Sequence, residues 1–229
     1  MGRMVEFPSD GATGGGYLAP ASEGAGLGVI VVQEWWGLVD HIVDVCDRFA
    51  AEGFTALAPD LYHGKTVPNR EPDEAAKAAM ALDVERAARD LSGAADFLQA
   101  HEAVRGRGVG VVGFGTGGGL ALWLATLRPD AVRAAVPFYG IAPEGAEPEW
   151  SALAAPVEGH YAEHDGTASP EAVTAFESRL TEAGTDVRIF TYPGTGHAFF
   201  NDTRPEVYDE DAARQAWVRT LEFLRSKLG

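Results

Sequence analysis

The residues best equipped for chemistry in this sequence are three polar side chains and a glycine-rich turn, each placed just after an apolar run. Glu34 follows Leu27-Gly-Val-Ile-Val-Val-Gln33, and the turn Gly113-Phe-Gly-Thr-Gly117 follows Val109-Gly-Val-Val112. Asp165 comes shortly after Pro156-Val-Glu-Gly-His-Tyr161, and His197 shortly after Val187-Arg-Ile-Phe-Thr-Tyr192. Turn, acid, histidine is the chain order of a Ser/Cys–acid–His hydrolase built on a strand–turn–helix elbow. In such a site the histidine takes a proton from the nucleophile, and the acid orients the ring and stabilises the imidazolium. Gly113 and Gly117 bracket the elbow, but its tip is Gly115, which carries neither hydroxyl nor thiol.

Each of these residues also has a plainer reading. Asp165 stands where an aspartate commonly caps a turn, and His197 could be an ordinary polar loop residue. Their joint order and their common position after strands favour the pair as a site. Glu34, directly after an apolar strand, should be half-buried and in need of a partner. His160 and His164 have the i,i+4 spacing of a helical metal pair, but their segment reads as strand and loop, so no metal is expected. Cys46 lies on the apolar face of its helix and reads as core. Gly113-x-Gly115-x-x-Gly118 also fits the dinucleotide fingerprint, yet the next strand ends in Phe138-Tyr139 rather than in an acid that would hold a ribose. Thr116 is a poor substitute nucleophile, because the elbow exposes only its tip residue.

The elements that must position these groups alternate. Strands are predicted near 5–7, 17–19, 27–33, 55–58, 109–114, 133–139, 156–161 and 187–192. Helices are predicted from Asp40 to before Gly53, over 73–82, over 84–100, after the elbow to Leu127, over 170–183 and over 209–227. Ile42, Val45, Cys46 and Phe49 repeat at helical spacing, as do Ala213, Trp217, Leu221 and Leu224. Residues 62–73 and the Pro-, Gly- and Glu-rich stretch from Gly140 to about 152 read as loops. Alternation of this kind predicts an α/β fold with a doubly wound, mostly parallel sheet. Functional groups in such sheets gather at the carboxyl ends of the strands, where all four candidates fall.

Composition narrows the partners. The chain has 229 residues, 46% of them hydrophobic, with neither a repeat nor an evident linker, as expected of one domain over 4–228. Its 34 acidic against 18 basic residues give a net charge of −16, which argues against nucleic acid and anionic membrane surfaces. A lone cysteine suits a reducing compartment, and no apolar run reaches membrane-spanning length, so a cytoplasmic monomer or dimer acting on a small molecule is expected.

Taken together, Gln33-Glu-Trp-Trp-Gly37, Ala58-Pro-Asp-Leu-Tyr62, Gly113-Phe-Gly-Thr-Gly-Gly118, Asp165 and Gly194-Thr-Gly-His-Ala-Phe199 resemble the dienelactone hydrolase family over nearly the whole chain. The resemblance implies an α/β-hydrolase fold, a small ester or lactone substrate and no cofactor. In that family a cysteine in Gly-x-Cys-x-Gly-Gly is served by a histidine and an aspartate, and a glutamate controls the thiol's ionisation. By position these partners are His197, Asp165 and Glu34. The oxyanion hole would be the N–H groups of Thr116 and Trp35, with Trp36, Tyr139 and Phe199 bordering the pocket. The chain departs from the family pattern at Gly115. It also lacks the substrate-holding arginine soon after the histidine, since His197-Ala-Phe-Phe-Asn201 has none and Arg204 comes later. Three readings of Gly115 stay open. The protein has lost acyl chemistry and kept a binding pocket; or Glu34 or His197 acts as a general base; or position 115 is a variant site in an otherwise ordinary hydrolase.

Overall fold

A computed structural model describes residues 2–142 and 147–229, so part of the expected loop before residue 152 lies outside the described residues. An antiparallel pair, β1 (Arg3–Ser9) and β2 (Ala12–Ala19), opens the chain. It is followed by β3 (Gly26–Val32), α1 (Asp40–Ala51), β4 (Phe54–Pro59), α2 (Pro72–Met80) and α3 (Val84–Ala100). Next come β5 (Val104–Phe114), α4 (Thr116–Leu127), β6 (Val132–Phe138), and a short 3-10 turn at Trp150–Ala152. The chain ends with β7 (Val157–His164), α5 (Pro170–Glu182), β8 (Val187–Gly196) and α6 (Glu210–Leu228).

The strands form one eight-stranded sheet in the order β1-β2-β4-β3-β5-β6-β7-β8. Everything from β4 to β8 pairs in parallel, and only the β1–β2–β4 edge is antiparallel. β3 is buried at every position, as a central parallel strand covered on both faces must be. Its alternate side chains divide between two cores. Val29 and Val31 join Ile42, Val45 and Phe49 of α1 and Leu221 and Leu224 of α6. Ile30 and Val32 join Leu91 and Leu98 of α3, Leu122 of α4 and Phe176 of α5. The helix periodicities therefore face the sheet as their spacing requires. Each wholly buried Ile, Val or Phe contributes about 1.5–3 kcal/mol through removal from water.

The sequence reading differs from the structure mainly at strand ends. β8 runs on through Pro193-Gly-Thr-Gly196 instead of turning after Tyr192. As an outer strand it tolerates a proline that has no N–H to give. β5 begins five residues earlier than Val109, and its pairing with β3 shifts at Leu27/Gly28, where Gly106 and Gly108 adopt positive φ. β1 and β2 form a full hairpin, larger than the short edge strands expected from Val5-Glu-Phe7 and Tyr17-Leu-Ala19.

Candidate functional site

Five strand ends converge on one place. β3 leads into Gln33 and Glu34, β5 ends at Phe114 just before Gly115, β6 is followed by Tyr139, β7 by Asp165 and β8 by His197. In-register pairing of Val32 with Gly113, and of Phe114 with Phe138, brings the first three level with one another.

Gly115 is the sharp corner. Its backbone lies at φ 54 and ψ −120, a conformation that side-chain-bearing residues adopt only under strain. The turn is clamped by close backbone approach: a Cβ on Gly117 would collide with the Gln33 carbonyl, and one on Gly140 with the carbonyl of Gly115 itself. Those two glycines are required by space. At Gly115 space is free, for a Cβ built there meets nothing nearer than His197 Nε2, at 3.9 Å. The corner thus presents its tip directly to the imidazole.

His197 and Asp165 meet as a hydrogen-bonded pair, with Nδ1 2.8 Å from Asp165 Oδ2. A carboxylate can only accept, so Nδ1 carries the proton and Nε2 presents its lone pair towards Gly115. Asp165 is held in turn by the N–H groups of Thr167 at 2.7 Å and Ala168 at 2.9 Å. Burial of Asp165 pushes its pKa up, but the hydrogen bond from His197 and those from the two N–H donors outweigh this and hold the carboxyl below the usual range. The His197 side chain is 35% exposed while that of Asp165 is wholly covered, so the ring stands between a buried anchor and solvent.

Glu34 is only 4% exposed and both of its oxygens are engaged. Tyr139 Oη donates to Oε1 at 3.1 Å and Asn201 Nδ2 to Oε2 at 3.1 Å. Burial, then the adjoining Glu34 charge and hydrogen bond, raise the Tyr139 phenol well above its ordinary value, so it remains a donor. Tyr139 has a positive φ of 39, and Ala198, directly after His197, one of 66; unusual backbone brackets the site on two sides. Asn201 was not among the candidate site residues. Its amide is fixed by Thr203, whose N–H and hydroxyl both donate to Asn201 Oδ1, so the NH2 must face Glu34. The available signal was a polar residue closing the apolar run Ala198-Phe-Phe200.

Thr116 is the first residue of α4, so its N–H is among those a helix start leaves free. Neither it nor the Trp35 N–H has a partner among the described residues. Trp36, Tyr139 and Phe199, expected to border the pocket, are 2%, 0% and 0% exposed. These three side chains are buried, and Trp35, half-buried, is the tryptophan nearer the surface. Arg204 places its guanidinium 5.8 Å from the Trp36 ring and bonds Glu206 at 3.0 Å. Among the described residues no cluster of His, Cys, Asp and Glu is arranged to hold a metal. A groove of about 1040 Å³ lies elsewhere, between the β1–β2 turn and α3. It contains no residue of the strand-end constellation.

The eight-stranded, mostly parallel sheet, with helices on both faces and a sharp glycine turn after its central strand, defines an α/β-hydrolase fold. A family model described as the dienelactone hydrolase family matches residues 15–228, and the chain belongs to that family. "Protein usf" of Aquifex pyrophilus is 37% identical over the full length of both chains. A protein of Aquifex aeolicus named "Putative carboxymethylenebutenolidase" is 34% identical, again over 100% of each. Among solved structures, the dienelactone hydrolase-like promiscuous phosphotriesterase P91 from metagenomic libraries superposes with a TM-score of 0.86 at 24% identity. It covers 100% of this chain and 99% of its own, and at that identity speaks for the fold alone.

Proposed function

We propose that this protein binds a small ester or lactone at the carboxyl ends of its sheet and processes it without a covalent acyl-enzyme. Gly115 carries the reading. The imidazole–carboxylate pair is aimed at the elbow tip, and the tip has no atom that could attack a carbonyl. The names of two relatives, the carboxymethylenebutenolidase above and a Bradyrhizobium protein called "Probable 2-oxo-3-(5-oxofuran-2-ylidene)propanoate lactonase", support a lactone over an open-chain ester. Thr116 and Trp35 would offer their N–H groups to the carbonyl oxygen, and the start of α4 adds its dipole. Residues 4–228 would act as one unit on a small molecule.

Gly115→Cys tests this reading on 4-nitrophenyl acetate and an unsaturated γ-lactone. Turnover should rise by about 10³-fold or more, with an acetyl adduct on residue 115 visible by intact mass, because only the nucleophile was wanting. A variant that folds yet neither acylates nor turns over either substrate would remove esters and lactones from the reading. It would leave a pocket for non-hydrolytic binding.

A further inference from the structure

Resting on that reading of the pocket, we propose that the parent protein hydrolyses its ester or lactone by direct attack of water, with His197 as the general base and water in the place a nucleophile side chain would occupy. The His197 Nδ1 proton is committed to Asp165, leaving Nε2 a free acceptor. The Cβ position of residue 115 lies 3.9 Å from that nitrogen, and beyond the adjoining residues 114 and 116 nothing else comes within 4 Å of it, which leaves room for a water oxygen about 3 Å from Nε2. Glu34, the other candidate base, is excluded by its bonds: both oxygens accept from fixed neutral donors and the residue is buried.

The step balances without a cofactor. Nε2 removes one proton from water, and the oxygen lone pair forms the bond to the carbonyl carbon. The C=O electrons move onto oxygen, where the Thr116 and Trp35 N–H groups receive the charge. On collapse the bond to the alkoxy oxygen breaks, and the leaving oxygen takes the proton from Nε2. Ester and water give acid and alcohol; a lactone gives one hydroxy acid. Asp165 stays ionised and holds the imidazolium while it exists.

The test uses the full-length protein on 4-nitrophenyl acetate and an unsaturated γ-lactone. The parent should turn over steadily, with no initial burst, no acyl adduct by intact mass and a slower rate in D2O. His197→Ala should lower that rate by about 10²-fold or more, since general-base assistance is of that size. Gly115→Ala should lower it about ten-fold, because its methyl intrudes where the water must sit. Circular dichroism and melting temperature verify that each variant is folded. A parent rate that His197→Ala leaves unchanged, an adduct on the parent, or an unchanged rate in folded Gly115→Ala would each overturn the proposal. So would an inactive parent beside a Gly115→Cys variant that acylates, and in that case the pocket reading would survive. If neither parent nor Gly115→Cys reacts, the pocket reading fails and this proposal with it.

Discussion

Two of the five histidines that lie within 4 Å of a carboxylate among the described residues, His160 and His197, are prepared for opposite tasks. His160 sits within β7, fully buried, and uses both ring nitrogens. Nδ1 is 2.9 Å from Tyr192 Oη, and Nε2 is 3.1 Å from Thr220 Oγ1 on α6. Arg219 donates to the same Tyr192 oxygen at 3.0 Å, so the tyrosine proton points at Nδ1 and Nε2 carries the ring proton. Burial, then the nearby Arg219, lower the His160 pKa to about 3, and the ring stays neutral. His197 stands one residue past the end of β8, partly exposed, with one nitrogen anchored and the other free. The carboxylates differ in the same way: Asp165 accepts three hydrogen bonds, whereas Glu158, near His160, has a buried oxygen without a partner. Position relative to the strand end separates them. Mid-strand, a ring is enclosed by the neighbouring helix; past the end, it has one side to packing and one to solvent.

The comparison breaks most visibly at Asp165. In the Gly115→Cys background, Asp165→Asn should cut turnover by about 10³-fold, because an amide can donate to Nδ1 and shift the ring proton onto Nε2. Steady-state kinetics on 4-nitrophenyl acetate would measure it, and a loss smaller than ten-fold would mean that Asp165 does not set the tautomer. His160→Ala should act on stability alone. It removes a buried ring and strands the Tyr192 and Thr220 hydroxyls, at about 3 kcal/mol in urea unfolding, while turnover per folded molecule stays unchanged. A large fall in kcat with stability intact would show that the buried network reaches the site.

How much of this was legible depended on what kind of signal each residue left. The turns of α1 and α6 were readable because Ile42, Val45 and Phe49, and Leu221 and Leu224, had to face the sheet. That these residues would meet was legible because a parallel sheet places all its strand ends on one edge, and Glu34, Gly115, Asp165 and His197 each followed a readable strand. The extension of β8 was hidden by Pro193-Gly194, which reads locally as a turn and is overridden by pairing with β7 up to His164↔Gly196. The burial of Trp36 and Phe199 was hidden as well. A large aromatic beside a site reads as a wall, and only its burial, with Phe199 packed against Tyr139 and Tyr192, reveals it as interior. Asn201 was hidden for a third reason: its partner, Glu34, lies 167 residues away, and no local pattern links them.

The smallest effect sharpens the comparison most, because it asks whether the buried network carries a cost that the site does not. Glu158 is 3% exposed, and burial raises its pKa to about 7, against the opposing pull of Arg188 and Arg219; Glu222 on α6 pushes the same way as burial. Facing it are His160 of the same strand, 3.6 Å away and neutral, and Tyr192 of β8, a neutral phenol. A carboxyl whose folded pKa exceeds its unfolded value of 4.5 holds its proton more tightly when folded. The folded state therefore binds more protons than the unfolded one between pH 4.5 and about 7, and stability attributable to Glu158 falls as pH rises through that window. Above it the protein bears a buried charge without a hydrogen-bond partner on one oxygen, at a cost of roughly 3 kcal/mol. Glu158→Gln keeps the shape and removes the titration. It should raise unfolding stability at pH 8 by about 1–2 kcal/mol, change little at pH 4.5, and flatten the slope between them. Asp165, held below the usual carboxylate range, has the opposite sign: the stability it supplies is present at neutral pH and is lost only as pH falls through its lowered value. Urea titrations of the parent and Glu158→Gln across this range would separate the two. Parallel curves for the two proteins would mean that Glu158 keeps its charge in the fold and that Arg188 and Arg219 fully compensate it.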